Sequence, residues 1–137
     1  MIFNVNKNIS YLLLALVLIT VAIALYLWNK PHRSIDGRRT EHVTAATITQ
    51  AFEDDETAAN QKYLNKALTV QGVVEEISKN DAGQQVIFIK GHRDFSGVQC
   101  TFKAPEIEVG VGDTINVSGF CNGYTVAVIL DDCKLLE

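Results

Sequence analysis

The sequence has no Cys-x-x-Cys pair, no glycine-rich nucleotide loop, no D-x-D-x-D-G calcium loop and no internal repeat. Each absence removes a class of function. A thioredoxin-like redox site needs Cys-x-x-Cys at a helix N-terminus, where the thiolate is stabilised. Structural zinc needs four Cys or His ligands with one pair only ~2–4 residues apart, whereas Cys100, Cys121 and Cys133 are spaced by 21 and 12 residues and only His92 is near them. No metal site is therefore expected. The letters His92-Arg93-Asp94 match a kinase catalytic loop, but the glycine loop and strand lysine that such chemistry requires are missing. "GVGDTI" from Gly110 leads into a strand, while a phosphate cradle opens a helix. With three scattered histidines, no nucleophile motif and no paired acids in an apolar setting, neither enzymatic activity nor a cofactor is expected.

Positive charge is scarce beyond residue 39. Residues 1–39 carry five basic side chains (Lys7, Lys30, Arg33, Arg38, Arg39) and one acid, Asp36, a net +4. Residues 40–137 carry seven basic and fifteen acidic side chains, a net −8, which together give the chain its −4. Nucleic-acid binders draw most of their non-specific affinity from neutralising phosphate, so an acidic domain disfavours that partner.

What is abundant is apolar sequence at one end. "ISYLLLALVLITVAIALYLW", Ile9 to Trp28, is twenty residues without a charge, and at 1.5 Å per residue it spans the ~30 Å hydrocarbon layer of a bilayer. A single membrane-spanning helix is expected over residues 9–28, after an N-terminal tail of residues 1–8. A cleavable signal peptide is the alternative. It would have a shorter apolar core and a small-residue A-x-A site, whereas this run ends in "YLWNKPHR", with Tyr26 and Trp28 as interfacial anchors and Pro31 as a helix stop. No cysteine follows the run to accept a lipid. Residues 29–46, with proline, glycine and charge but no apolar period, are expected to be a juxtamembrane linker.

The domain is expected over residues 47–137. Thr47 followed by Gln50 forms a capping box that should start a helix. Its apolar positions are Ile48, Ala51, Phe52, Ala58, Ala59, Tyr63 and Leu64, and the acidic run Glu53–Glu56 falls on and around the solvated face. Past Asn65 the period becomes two. Strands are expected in "KALTVQGVVEEIS", with a bulge or bend at Gly72, in "QQVIFIK", in "VQCTFK", in "DTINVSG" and in "YTVAVILDDCKLL", with "FCNG" (Phe120–Gly123) as the last turn. Leu68, Val70 and Val74 share a face, as do Val98, Cys100 and Phe102, and Ile115 with Val117. An N-terminal helix followed by five strands, the first long and bent, fits an all-β fold built as a small closed Greek-key barrel.

The stretches "AFEDDETAANQKYLNKALTVQGVVEEI", "GVQCTFK", "VGDTINVSGFCNG" and "VILDDCKLL" resemble the tRNA_anti-like family of OB-fold proteins over about residues 47–136. The most specific pieces are Asn60, Tyr63, Leu64 and Lys66 before the first strand, and Gly112 with Asp113 before the fourth. The resemblance implies a five-stranded OB barrel, with nucleic-acid binding by fold analogy only. In such a barrel the third and fifth strands are neighbours, which makes Cys100–Cys133 the first candidate disulfide and Cys100–Cys121 the second; three buried free thiols are the alternative. A bridge would place the domain in an oxidising compartment, against the basic flank after the helix, which places it in the cytoplasm. Between these the expectation is an extracytoplasmic domain.

OB barrels that bind oligomers use the outer face of strands two and three with the flanking loops. Here that region presents Lys79, Lys90, Arg93, Phe95, Gln99, Thr101, Lys103, Phe120, Asn122 and Tyr124, a mixture of cations and aromatics suited to gripping a single strand. Alternatively Phe95, Phe120 and Tyr124 finish the barrel ends. The expected function is a binding module tethered to the membrane, with a protein or envelope component as ligand and single-stranded nucleic acid as the second reading.

Overall fold

The computed structural model describes residues 6–29, 39–104 and 106–136 and divides the chain into two units, Met1–Arg33 and Ser34–Glu137. The expected tail and linker fall partly on residues 1–5 and 30–38, outside the described residues.

In the first unit α1 runs from Lys7 to Trp28, 22 residues with none buried, or about 33 Å at 1.5 Å per residue. By length and composition it is able to cross a membrane. A helix satisfies its own backbone, and the hydroxyl of Thr20 donates to the Val17 carbonyl at 2.8 Å. The polar side chain in the middle of the helix is thereby satisfied within the helix itself.

The second unit begins earlier than expected. β1, Glu41–Thr44, pairs in parallel with β2, Ala67–Lys79, and α2, Ala45–Asp54, follows directly. Four residues are too few to carry a readable period. The cap of α2 is Thr44 rather than Thr47: the Thr44 Oγ1 accepts from the Thr47 amide at 3.1 Å and donates to the Thr47 hydroxyl at 2.8 Å. The single expected helix is also broken in two. Asp55 is extended (φ −155°, ψ 93°), and its carboxylate accepts from the Ala58 amide at 3.1 Å to start α3, Glu56–Tyr63. Part of the acidic run is thus a cap, where a side-chain acceptor meets an orphan helix donor.

The remaining strands are β3 (Gln85–Lys90), β4 (Gly97–Phe102), β5 (Thr114–Tyr124) and β6 (Val128–Leu136). Neighbours run β1-β2-β3-β4-β6-β5, and β5 returns to β2, closing five strands into a barrel with β1 as a sixth. The closed order is that of the OB fold. Its interior holds the predicted faces: Leu68, Val70, Val74, Val98, Cys100, Phe102, Ile115 and Val117 are all buried. Ile48 and Phe52 of α2, with Ala59 and Tyr63 of α3, join the same core.

Two strand details differ from expectation. "FCNG" belongs to β5, whose partners include Phe120↔Asp131 and Cys121↔Leu130, and the chain turns at Thr125–Ala127 instead. Gly72 is not the bulge, which lies between Val74 and Glu76. Gly72 is needed because a Cβ there would collide with the Ile89 side chain. Between β4 and β5 the connector is held to β3 by Gln85, whose amide donates to the Ile107 carbonyl at 3.1 Å and whose carbonyl accepts from the Ile107 amide at 2.7 Å.

Neither candidate disulfide forms, and all three cysteines are free and buried. The register keeps one pair apart and leaves the other as neighbouring thiols without a bridge. Leu130 of β6 pairs with Cys100 on one side and Cys121 on the other, so a whole strand separates those cysteines, about 9–10 Å at two interstrand spacings against the ~6.8 Å limit for a bridge. Cys133 sits opposite Phe102 rather than Cys100, after a register shift, and its thiol donates to the Leu130 carbonyl at 3.3 Å.

Burial raises the Cys121 thiol, and burial with the adjoining Cys100 thiol raises Cys133 well above the usual range. Above the ordinary thiol pKa of ~8.5 the unfolded chain loses these protons while the native barrel keeps them, so stability is intact below that pH and falls as pH rises past it. The expected slope is up to about 1.4 kcal/mol per pH unit for each lagging thiol. Urea unfolding between neutral and alkaline pH checks this, and Cys133→Ala should flatten the slope.

Candidate functional site

On the outer face of β3 and β4 the residue pairs are Val86↔Thr101, Phe88↔Gln99 and Lys90↔Gly97. Gln99 and Thr101 are half-buried, and the half-buried Phe88 ring lies where a Cβ on Gly97 would sit. This is the face an OB barrel offers to a ligand, and Phe88 is its central aromatic. The alternation of "QVIFIK" places Phe88 outward with Val86, and that period of two is the signal in the sequence that marks it.

The cations that were expected to line this face are each matched by an acid. Lys79 Nζ lies 2.8 Å from Glu106, Lys103 Nζ 2.7 Å from Asp132, Arg93 Nη2 2.6 Å from Glu53 and Lys90 Nζ 3.9 Å from Asp94. Hydrogen bonding to Lys79, and then its charge, pulls the Glu106 carboxyl below its usual range. Exposed pairs of this kind contribute little to stability. Their consequence is electrical: the cations project little net field from the surface.

The aromatics divide by burial. Phe120 is 6% exposed and built into the barrel wall, so it is not a surface platform. Tyr124 is half-buried and stacks on Phe52 with centroids 5.5 Å apart and planes 17° from parallel, finishing the barrel end. Phe95 is 92% exposed with φ 65°. Asn122 is exposed and donates to Asp131 at 2.8 Å.

Arg93, Phe95 and Tyr124 are brought together at one end of the barrel, where α2, the Gly91–Ser96 loop and the Thr125–Ala127 turn enclose a cleft of about 490 Å³. Phe52 and Tyr124 line it, with Phe95 and the 83% exposed Val126 at its mouth. Glu53, Glu56, Arg93 and Asp94 supply its charge. Lys79 and Lys103 lie at the other end of β3–β4, apart from this cleft.

The loop at the cleft is pinned. Gly91 N donates to Ser96 O at 2.7 Å, Ser96 N to Arg93 O at 3.2 Å and Arg93 N to Ser96 Oγ at 3.3 Å. The His92 amide donates to Thr49 Oγ1 of α2 at 3.2 Å, and Arg93 Nε donates to His92 Nε2 at 3.0 Å. That bond assigns the neutral ring proton to Nδ1, which faces Thr49 Oγ1 at 3.3 Å. The Glu53 carboxylate closes the group through its ion pair to Arg93, with the same oxygen 3.2 Å from His92 Nε2. Thr49 and Glu53 were not singled out in the sequence; their four-residue spacing puts them on one face of α2 and was the available signal.

A second hollow of about 360 Å³ lies beside β1, lined among others by Glu41, Lys62, Tyr63 and Asn116. Among the described residues no group of three His, Cys, Asp or Glu side chains is placed to hold a metal ion.

The tRNA_anti-like family model matches residues 3–134, taking in both the apolar helix and the barrel. Among solved structures, a lipoprotein of Klebsiella pneumoniae subsp. pneumoniae MGH 78578, provisionally named as nucleic acid-binding, superposes with a TM-score of 0.55 at 18% identity, covering 70% of this chain and 92% of its own. At that identity the likeness is one of fold. No curated protein matches the sequence significantly.

Proposed function

The chain belongs to the tRNA_anti-like family, and on that premise we propose that it is a membrane-anchored OB-fold binding module whose ligand is a protein or envelope component. The carrying observation is the pairing of Lys79, Lys90, Arg93 and Lys103 with acids on and beside the binding face. A phosphate backbone would have to displace those acids in a domain that carries a net −8 over residues 40–137. A protein surface needs no such exchange, and Phe88, Phe95 and Val126 offer it apolar contact. The anchor in this reading is α1.

The second reading, single-stranded nucleic acid, draws on the name of the Klebsiella lipoprotein and on Phe88 and Phe95 as stacking surfaces. Salt separates the two readings. With the full chain in nanodiscs of neutral lipid, fluorescence anisotropy of a labelled oligothymidine should show no saturable binding at low salt. Saturable binding whose log K falls linearly with log salt, the signature of counterion release, would establish the second reading.

A further inference from the structure

The cleft between α2, the Gly91–Ser96 loop and the Thr125–Ala127 turn presents apolar surface that a soluble barrel has no structural reason to expose. Phe95 carries φ 65° and is 92% exposed. The left-handed region is strained for a bulky side chain, and such outliers persist where the surroundings over-determine them, commonly at ligand contacts. Here the surroundings do so: the loop is tied to itself through Ser96 and to α2 through Thr49 and Glu53. An aromatic carried on a pinned loop is a preorganised anchor, because little backbone freedom remains to be lost on binding. Val126, 83% exposed on the neighbouring turn, faces the same cleft.

Charge identifies the occupant. Arg93 is answered by Glu53 within the cleft wall and Asp94 by Lys90 beside it, which leaves Glu56 to set the sign at the rim. Acids repel lipid and nucleic-acid phosphates alike and attract cations. Resting on the reading that the ligand is a protein, we infer that this cleft docks a polypeptide segment that sets an apolar side chain beside a lysine or arginine. The apolar side chain packs between Phe95 and Val126 over Tyr124, and the cation meets Glu56.

A random-peptide phage library selected on the full chain in nanodiscs of neutral lipid tests this. Enriched peptides should carry Lys or Arg adjacent to a large apolar residue. A synthetic peptide of the enriched sequence should lose about tenfold or more in affinity to Phe95→Ser, as expected of an anchor, and a comparable factor to Glu56→Lys. Its binding to Asp81→Asn, in the exposed turn between β2 and β3 at the far end of the barrel, should be unchanged. Both Phe95 and Glu56 are exposed, so these variants keep the fold, which near-UV circular dichroism verifies. Peptides that bind but ignore Phe95→Ser and Glu56→Lys would overturn the cleft while leaving the protein-ligand reading intact. Enrichment of acidic peptides, or no enrichment, would overturn the inference, and no enrichment together with oligothymidine binding would overturn both.

Discussion

Replacing Phe52 with alanine should lower the unfolding free energy of the barrel by about 3–5 kcal/mol, the range for deleting a buried aromatic whose site cannot collapse. Phe52 is 1% exposed and lies between two rings, 5.5 Å from Tyr124 and 6.1 Å from Tyr63. It is the point at which α2, α3 and β5 meet. Aromatic pairs contribute roughly 0.5–1.5 kcal/mol beyond their buried area, so both ring contacts, one stacked and one tilted, are lost along with the packing. Against a typical domain stability of about 5–15 kcal/mol, such a loss leaves the barrel marginal. The cleft floor goes with it, since Phe52 and Tyr124 line that site. Urea denaturation followed by near-UV circular dichroism measures the change, with Phe95→Ser as the contrast: an exposed ring should alter stability by no more than about 0.5 kcal/mol. A Phe52→Ala loss as small as that would mean the two helices do not pack on the barrel as described.

Gly97→Ala should destabilise by about 1–3 kcal/mol or more, through overpacking. A Cβ at position 97 would collide with both the Phe88 ring and the Ile89 carbonyl oxygen. The ring is able to move, but the carbonyl is fixed in the β3–β4 ladder, where Ile89 pairs with Val98. The double variant Phe88→Ala/Gly97→Ala separates the obstacles. Relative to Phe88→Ala alone, adding Gly97→Ala should still cost stability, since the backbone oxygen remains. If the added cost vanished, the ring alone would be the reason for glycine, and position 97 would matter to the binding face rather than to the barrel.

The barrel was legible because its strands alternate. "VQCTFK" places Val98, Cys100 and Phe102 inward and half-buries Gln99 and Thr101, as period two requires. Adjacency of β4 and β6 followed from the OB order, but the residue-level register did not. That register is set by irregularities at Cys100/Phe102 and Cys121/Gly123 which leave no mark in composition. It is the reason Cys100 and Cys121 face each other only across β6. Strand β1 was missed because four residues beside proline and charge carry no period, and the "FCNG" turn was misplaced because Gly123, at φ 113°, sits inside a strand rather than in a loop. At the candidate site, charge type was readable but pairing was not. Lys79 and Glu106 are 27 residues apart and Lys103 and Asp132 are 29 apart, so their mutual cancellation exists only once the connector and β6 are folded against β3 and β4.

That cancellation carries the functional reading, and removing it is the direct test. Oligothymidine anisotropy should be titrated at low salt against the full chain and against Glu106→Gln/Asp132→Asn, which frees Lys79 and Lys103 while keeping the shape of both side chains. The account predicts no saturable binding to the unaltered protein and a salt-sensitive signal appearing in the double variant. Tight, salt-sensitive binding by the unaltered protein, with no gain in the variant, would contradict it.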